Sequence, residues 1–253
     1  MISFVLFVIG LFVGSFLGVL VDRLPKDESV LKGRSYCEKC KKKLGAFDLI
    51  PLLSFIFLSG RCRYCKAPLS FYYPVIELTT GILFVLCYIF QFFPQSGISL
   101  RETIFSLFIV SSLIVVFFTD LKYGIIPDKI IYPAIVISLL FIILNTKYLI
   151  LNTSLSALGA FLFFLLLFLI TRGRGMGFGD VKLVFLMGLF LGFPKIIIAL
   201  YLAFLTGALV SIILVIWGKK KLKGGTVPFG PFLVLGTLIS FFFGNQVLLR
   251  VLP

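Results

Sequence analysis

The chain has 253 residues, 60% of them hydrophobic, and its mean hydropathy is +1.16. A soluble domain carries about 45–50% apolar residues, so this composition excludes one. The net charge of +14 fits the basic loops of a membrane protein and does not call for nucleic acid; the absence of His excludes Ser-His-Asp and Cys-His catalysis and His-ligated metals.

Apolar runs long enough to cross a bilayer recur along the chain. Eight spans are predicted: 2–21, 73–93, 103–119, 130–144, 149–170, 181–193, 195–217 and 229–249. The first lacks a basic segment before it, and its charges, Arg23 and Lys26, follow it, so it reads as a retained span and not a cleaved signal. Within it Gly10, Gly14 and Gly18 repeat every fourth residue, the pattern of a helix-packing face.

The polar segment 22–72 comes next. It is too small to fold well without a staple. Cys37-x2-Cys40 and Cys62-x2-Cys65 supply one, with the spacing of a four-thiolate zinc site. Disulfides are the competing reading, and a cytoplasmic location disfavours them. Cys87, in the second span, reads as a packing residue.

Charge fixes the expected topology. Loops 1–2, 3–4, 5–6 and 7–8, with their helix edges, hold 20 of the 24 Lys and Arg, among them Arg172, Arg174, Lys219, Lys220, Lys221 and Lys223. Only Arg101, Lys147, Lys195 and Arg250 fall on the other side. The basic side is therefore expected in the cytoplasm and both termini outside.

An ionisable group beside a membrane span is a functional candidate by default. Of ten acidic residues, five lie in the polar loop, and the others are Glu77, Glu102, Asp120, Asp128 and Asp180. Asp120 closes the third span, where the helix dipole repels an anion, so it does not stabilise its own helix. Asp128 follows Pro127 before an apolar run and reads as an N-cap. Asp180 stands in Gly177-Phe178-Gly179-Asp180, before a sixth span of only 13 residues. That span is about 20 Å of helix, too short for the hydrocarbon core and suited to a protein-lined interior. The flanking glycines permit the close approach that a peptide substrate needs. All three aspartates are expected at the cytoplasmic face. Two neighbouring carboxylates share a proton, so one can activate water while the other protonates a leaving group. An ion-coupled transporter using the same carboxylates is the alternative, although transporter sites lie near the bilayer midplane.

Taken in order, these motifs resemble the type IV prepilin peptidase family over nearly the whole chain. They are Gly14-Ser15-Phe16-Leu17-Gly18 through Asp22-Arg23-Leu24-Pro25, the two cysteine pairs, Ile50-Pro51-Leu52-Leu53-Ser54, and Tyr73-Pro74-Val75-Ile76-Glu77-Leu78. Asp120-Leu121 with Ile126-Pro127-Asp128, Gly175 through Leu183, and Pro228-Phe229-Gly230-Pro231-Phe232 complete the set. Many members have Asn where this chain has Gly18. The resemblance implies an all-α polytopic membrane protein of about eight transmembrane helices with a small cytoplasmic zinc-binding loop domain. Its parts would be a first helix (1–21), the four-cysteine zinc-binding loop domain (22–72) and a seven-helix aspartic peptidase domain (73–253). It also implies a bacterial inner-membrane enzyme that removes the leader of prepilins or pseudopilins after a glycine, with Asp120 and Asp180 catalytic. Asp128, Gly177, Gly179 and Lys182 would be supporting residues. Members with this loop are often also N-methyltransferases using S-adenosylmethionine; Glu77, with Gly81 one turn on, is then the candidate for holding the substrate amine. Prepilins, pseudopilins and membrane lipid are the expected partners, nucleic acid is not.

Overall fold

Glycine at four-residue intervals lets two helix backbones meet, and the first packing of the fold is built that way. In the computed structural model, which describes residues 1–30, 35–37, 39–92, 100–144, 147–173, 175–217 and 228–251, helix α1 (Ile2–Arg23) leads into a 3₁₀ turn at Leu24–Lys26. A second 3₁₀ turn (Ala46–Leu49) and the one-turn helix α2 (Leu53–Phe57) follow, then α3 (Tyr72–Phe92). The chain continues through α4 (Leu100–Tyr123), α5 (Asp128–Ile143), α6 (Lys147–Ile170), α7 (Phe178–Leu191), α8 (Lys195–Ile216) and α9 (Gly230–Val251). Arg174, the lysines at 219, 220, 221 and 223, and the expected Phe93 end of the second span lie outside the described residues.

The protein is an all-α, multi-pass membrane protein. A helix stands where each of the eight spans is expected. Among the described residues six helices, α1, α3, α4, α6, α8 and α9, are long and apolar enough to cross a membrane. The other two, α5 and α7, have 16 and 14 residues.

The chain divides into two units, 1–115 and 116–253. In the first, α1 packs on α3. A Cβ placed on Gly10 would lie 2.7 Å from the Gly81 Cα, and one on Gly14 would lie 2.7 Å from the Glu77 Cα. Gly10 and Gly14 are therefore the close-packing positions, as the small-residue spacing predicts. Gly18 is looser, 3.5 Å from the Tyr73 ring. At the loop end of this pair the Tyr73 hydroxyl donates to Asp22 Oδ2 at 2.7 Å, and Arg23 donates to the Ser29 carbonyl at 2.9 Å.

In the second unit α7 packs against α5, α6, α8 and α9. Val181, Leu183, Val184, Leu186, Met187 and Leu189 are all buried. The protein-lined interior expected for this short helix is what surrounds it. Gly188 makes that possible on one side, because a Cβ there would sit 2.4 Å from the Ala157 Cα of α6. Gly236 does the same between α9 and α8, 2.3 Å from the Ala199 carbonyl oxygen. Lipid tails are as apolar as leucine, so contacts of this kind, and not expulsion from water, hold membrane helices together. Most expected boundaries shift by a few residues, and two of the shifts bear on the aspartates. The third span extends beyond 119, which puts Asp120 inside the last turn of α4, and α7 starts at Phe178, which puts Asp180 inside its first turn. Sequence periodicity marks the apolar stretch, whereas the helix itself runs on into polar residues whose hydrogen bonds close its ends.

Candidate active site

Asp120 and Asp180 are both buried, 5% and 6% exposed, and each is held by the N-terminus of a helix. Asp180 is the third residue of α7. Its Oδ2 reaches back to accept the Gly177 N–H at 3.0 Å, the N3 half of a capping box. Asp120 lies at the unfavourable end of α4, but its Oδ2 accepts the Gly230 N–H at 3.0 Å, the first residue of α9. The first turn of a helix has unpaired N–H donors and a positive dipole end, so both carboxylates gain an amide that no intrahelical carbonyl claims. Neither Oδ1 carries a hydrogen bond among the described residues. The two side chains interact electrostatically. A pair of carboxylates, each with one oxygen fixed and one available, can hold and polarise a water and pass a proton between them.

Three glycines around this pair have separable jobs. A Cβ on Gly230 would fall 2.6 Å from Asp120 Oδ2, so only glycine lets this amide reach the carboxylate. A Cβ on Gly179 would fall 2.9 Å from the Ile126 Cβ, so Gly179 lets the chain's own 126–127 segment close on α7. Gly177 has no such crowding, its nearest neighbour being Asp180 Oδ2 at 3.7 Å. Of the two glycines flanking Phe178, only Gly177 leaves room for a further chain.

Asp128 is the first residue of α5, with Pro127 in the N-cap position, and so does not cap the helix as the sequence suggests. It pairs instead with Lys182 Nζ, which also sits 5.1 Å above the Tyr132 ring and 5.3 Å above the Phe178 ring. This contact ties the start of α5 to the start of α7. The Asp128 side chain is 54% exposed, in contrast to the other two aspartates.

The remaining candidates belong to the first unit. Glu77 is buried; its Oε2 accepts the Leu52 N–H at 2.8 Å, and Ser15 is a second partner. Gly81 faces α1, where a Cβ would meet Phe7 and Leu11. The four cysteine sulfurs lie within 4.8 Å of one another, and Cys37 Sγ is 3.9 Å from Cys65 Sγ. Tetrahedral zinc with bonds of about 2.3 Å separates its sulfurs by about 3.8 Å, so the donor set fits such an ion. Two matching turns build it. Cys37 N–H donates to the Lys42 carbonyl and Lys41 N–H to the Cys37 carbonyl, while Cys62 pairs in the same way with Ala67 and Lys66. Lys41 and Lys66 take φ of 57° and 56°. In the second turn, the backbone amides of Cys65 and Tyr64 donate to the Cys62 sulfur and lower its pKa to about 7, while, against the Ala67 N–H, desolvation and the neighbouring sulfurs push Cys65 up to about 11. All four cysteines are free of disulfides.

The residues that sequence reasoning left without a role are Gly230, Ile126, Ser15 and Leu52. Gly230 has a signal, a glycine followed by Pro231 at the head of an apolar run, where a helix begins. The others act through backbone or packing and leave no mark in the pattern.

Residues 8–91 match the Bacterial Peptidase A24 N-terminal domain and residues 107–212 the Type IV leader peptidase family. A prepilin leader peptidase/N-methyltransferase of Bacillus subtilis is 34% identical over 96% of this chain and 95% of its own. The protein of the same name from Legionella pneumophila is 33% identical over 97% and 93%, and that from Aeromonas hydrophila 31% over 95% and 90%. No solved structure matches the chain. With a relative at 34% identity over nearly its full length, the chain belongs to the type IV leader peptidase family.

Proposed function

We propose that this protein cleaves the leader of prepilins or pseudopilins after a glycine, at the cytoplasmic face of the bacterial inner membrane, with Asp120 and Asp180 as the catalytic pair and both termini outside. The observation that carries this reading is the paired arrangement itself: two buried, interacting carboxylates, each anchored through one oxygen to a helix N-terminal amide. One aspartate takes a proton from water. The resulting hydroxide equivalent attacks the scissile carbonyl carbon, and the other aspartate delivers a proton to the departing amine as the C–N bond breaks. The proton balance closes within the pair, so no metal is needed at this step. Gly177 leaves space for the substrate backbone, and the Asp128–Lys182 pair fixes α7 against α5.

The cysteine module is a structural zinc site in this reading. Methylation of the new N-terminal amine with S-adenosylmethionine is the proposed second activity, with Glu77 as the contact for that amine. The Gly81 side of α3 is filled by α1, and no donor cradle is assigned there.

The test is processing of a leader-bearing substrate by purified Asp120→Asn and Asp180→Asn proteins that still insert in the membrane. Each should lose about 10³-fold or more of the cleavage rate, because acid–base catalysis and the attacking water both fail. Normal cleavage by either variant removes the assignment. Gradient-dependent ion flux without cleavage would support the transporter instead. Labelled S-adenosylmethionine offered with cleaved substrate tests the methyl transfer separately.

A further inference from the structure

The loop module carries apolar side chains that its own core does not use. On α2, Phe55 is half-buried, edge-on to the exposed Phe71 at 5.1 Å and covering Gly60. Leu53, Ile56 and Phe57 lie three and four residues apart on the other face and are exposed, Ile56 at 68% and Phe57 at 81%. Phe47, in the adjoining 3₁₀ turn that packs against α2, is 74% exposed. The depth of this face is set by the chain itself. Leu52, which heads α2, gives its N–H to Glu77, five residues into α3. Five residues correspond to about 7.5 Å along a helix. So α2 starts beside the second turn of a membrane-spanning helix, and does not stand clear of the helix end.

The surrounding charge is mainly positive. Between residues 35 and 72 there are seven Lys and Arg against two acids. Lys39, Lys41, Lys42, Lys43, Arg61 and Lys66 are exposed. The Asp48 carboxylate is paired with Arg63 at 2.7 Å and accepts the Gly45 N–H. A four-thiolate centre holding a divalent ion subtracts two charges and still leaves the module positive. Aromatic and branched side chains at the level of the first helical turns, ringed by cations, have the composition of an interfacial anchor.

We propose that the segment from Ala46 to Phe57 inserts into the headgroup region of an anionic lipid leaflet, with Phe47, Leu53, Ile56 and Phe57 among the acyl ends and the module's lysines on the phosphates. The site is independent of the peptidase reading. It makes the loop module a membrane-bound part of the protein, not a domain extending into solvent.

The single tryptophan makes this measurable. Full-length protein carrying Trp217→Phe and Phe57→Trp is reconstituted into vesicles of phosphatidylcholine, alone or mixed with phosphatidylglycerol, with or without bromine high on the acyl chains. Zinc content matching the parent confirms the fold. In the mixed vesicles the indole should emit at shorter wavelength and lose roughly half its intensity to brominated lipid, and acrylamide should quench it poorly. Quenching in phosphatidylcholine alone should be weaker, and Lys41→Gln with Lys42→Gln and Lys43→Gln should abolish the difference. Strong acrylamide quenching with no response to bromine overturns the proposal. So does protection from both quenchers, which would mean that protein covers the face. Equal bromine quenching with and without phosphatidylglycerol overturns the choice of an anionic leaflet.

Discussion

The two halves of this molecule solve the same problem with different materials. Each must hold polar atoms in fixed positions at a membrane. The second unit does so with helix ends: Gly177 and Gly230 supply amides, and packing of α7 among its neighbours fixes where those amides point. The first unit has only a short loop to work with. It uses two matched turns whose sulfurs converge, and one buried carboxylate, Glu77, that pins the loop to α3. The difference teaches that the aspartate site is a property of helix packing, whereas the cysteine module, on the proposed reading, depends on a metal held by its four sulfurs. The two should therefore fail independently.

Substitution of either aspartate of the proposed catalytic pair is the largest expected effect, the loss of about 10³-fold or more in processing, with zinc content unchanged. Next is Gly230→Ala. The added methyl would meet Asp120 Oδ2 at 2.6 Å and must displace the carboxylate. A shift near 1 Å costs about 10²-fold, expected in kcat more than in KM, as measured on a leader-bearing substrate. An unchanged kcat would show that the Gly230 amide does not position Asp120. Third is Cys62→Ser, or chelation of the parent protein. Metal content should fall from about one ion per chain to none, and the loop should become protease-sensitive. Proteolysis within the second unit should not change, and loss of helix protection there would end the claim of independence. Smallest is Asp128→Asn. Its partner Lys182 keeps two aromatic rings, and the carboxylate is more than half exposed, so thermal unfolding should report no more than about 1 kcal/mol.

Much of this was legible in the chain. Long apolar runs give the membrane helices, because a bilayer demands about 20 such residues at a time. The cysteine spacing gives the donor set, because two residues between thiols suit one turn about an ion. Asp120 and Asp180 stand out because carboxylates beside a span are rare. What the sequence hides is which backbone amide meets which carboxylate. The Asp180 partner is three residues away, and the glycine that supplies it is legible only as a place of close approach. The Asp120 partner is 110 residues away, and no local pattern links them. Asp128 illustrates the same limit, since Pro127 takes the cap position and the carboxylate is left to pair with Lys182. Glycines were legible as places of close approach, but not as to what approaches: Gly179 receives Ile126, and Gly81 receives α1.

The Asp120–Gly230 hydrogen bond has a consequence for biogenesis. A ribosome releases Asp120 into the membrane long before it makes the α9 amide that completes its environment. A partly synthesised or prematurely terminated chain would insert most of its helices and still lack that amide. On the proposed function, assembly of the last helix is thus also the step that completes the surroundings of Asp120.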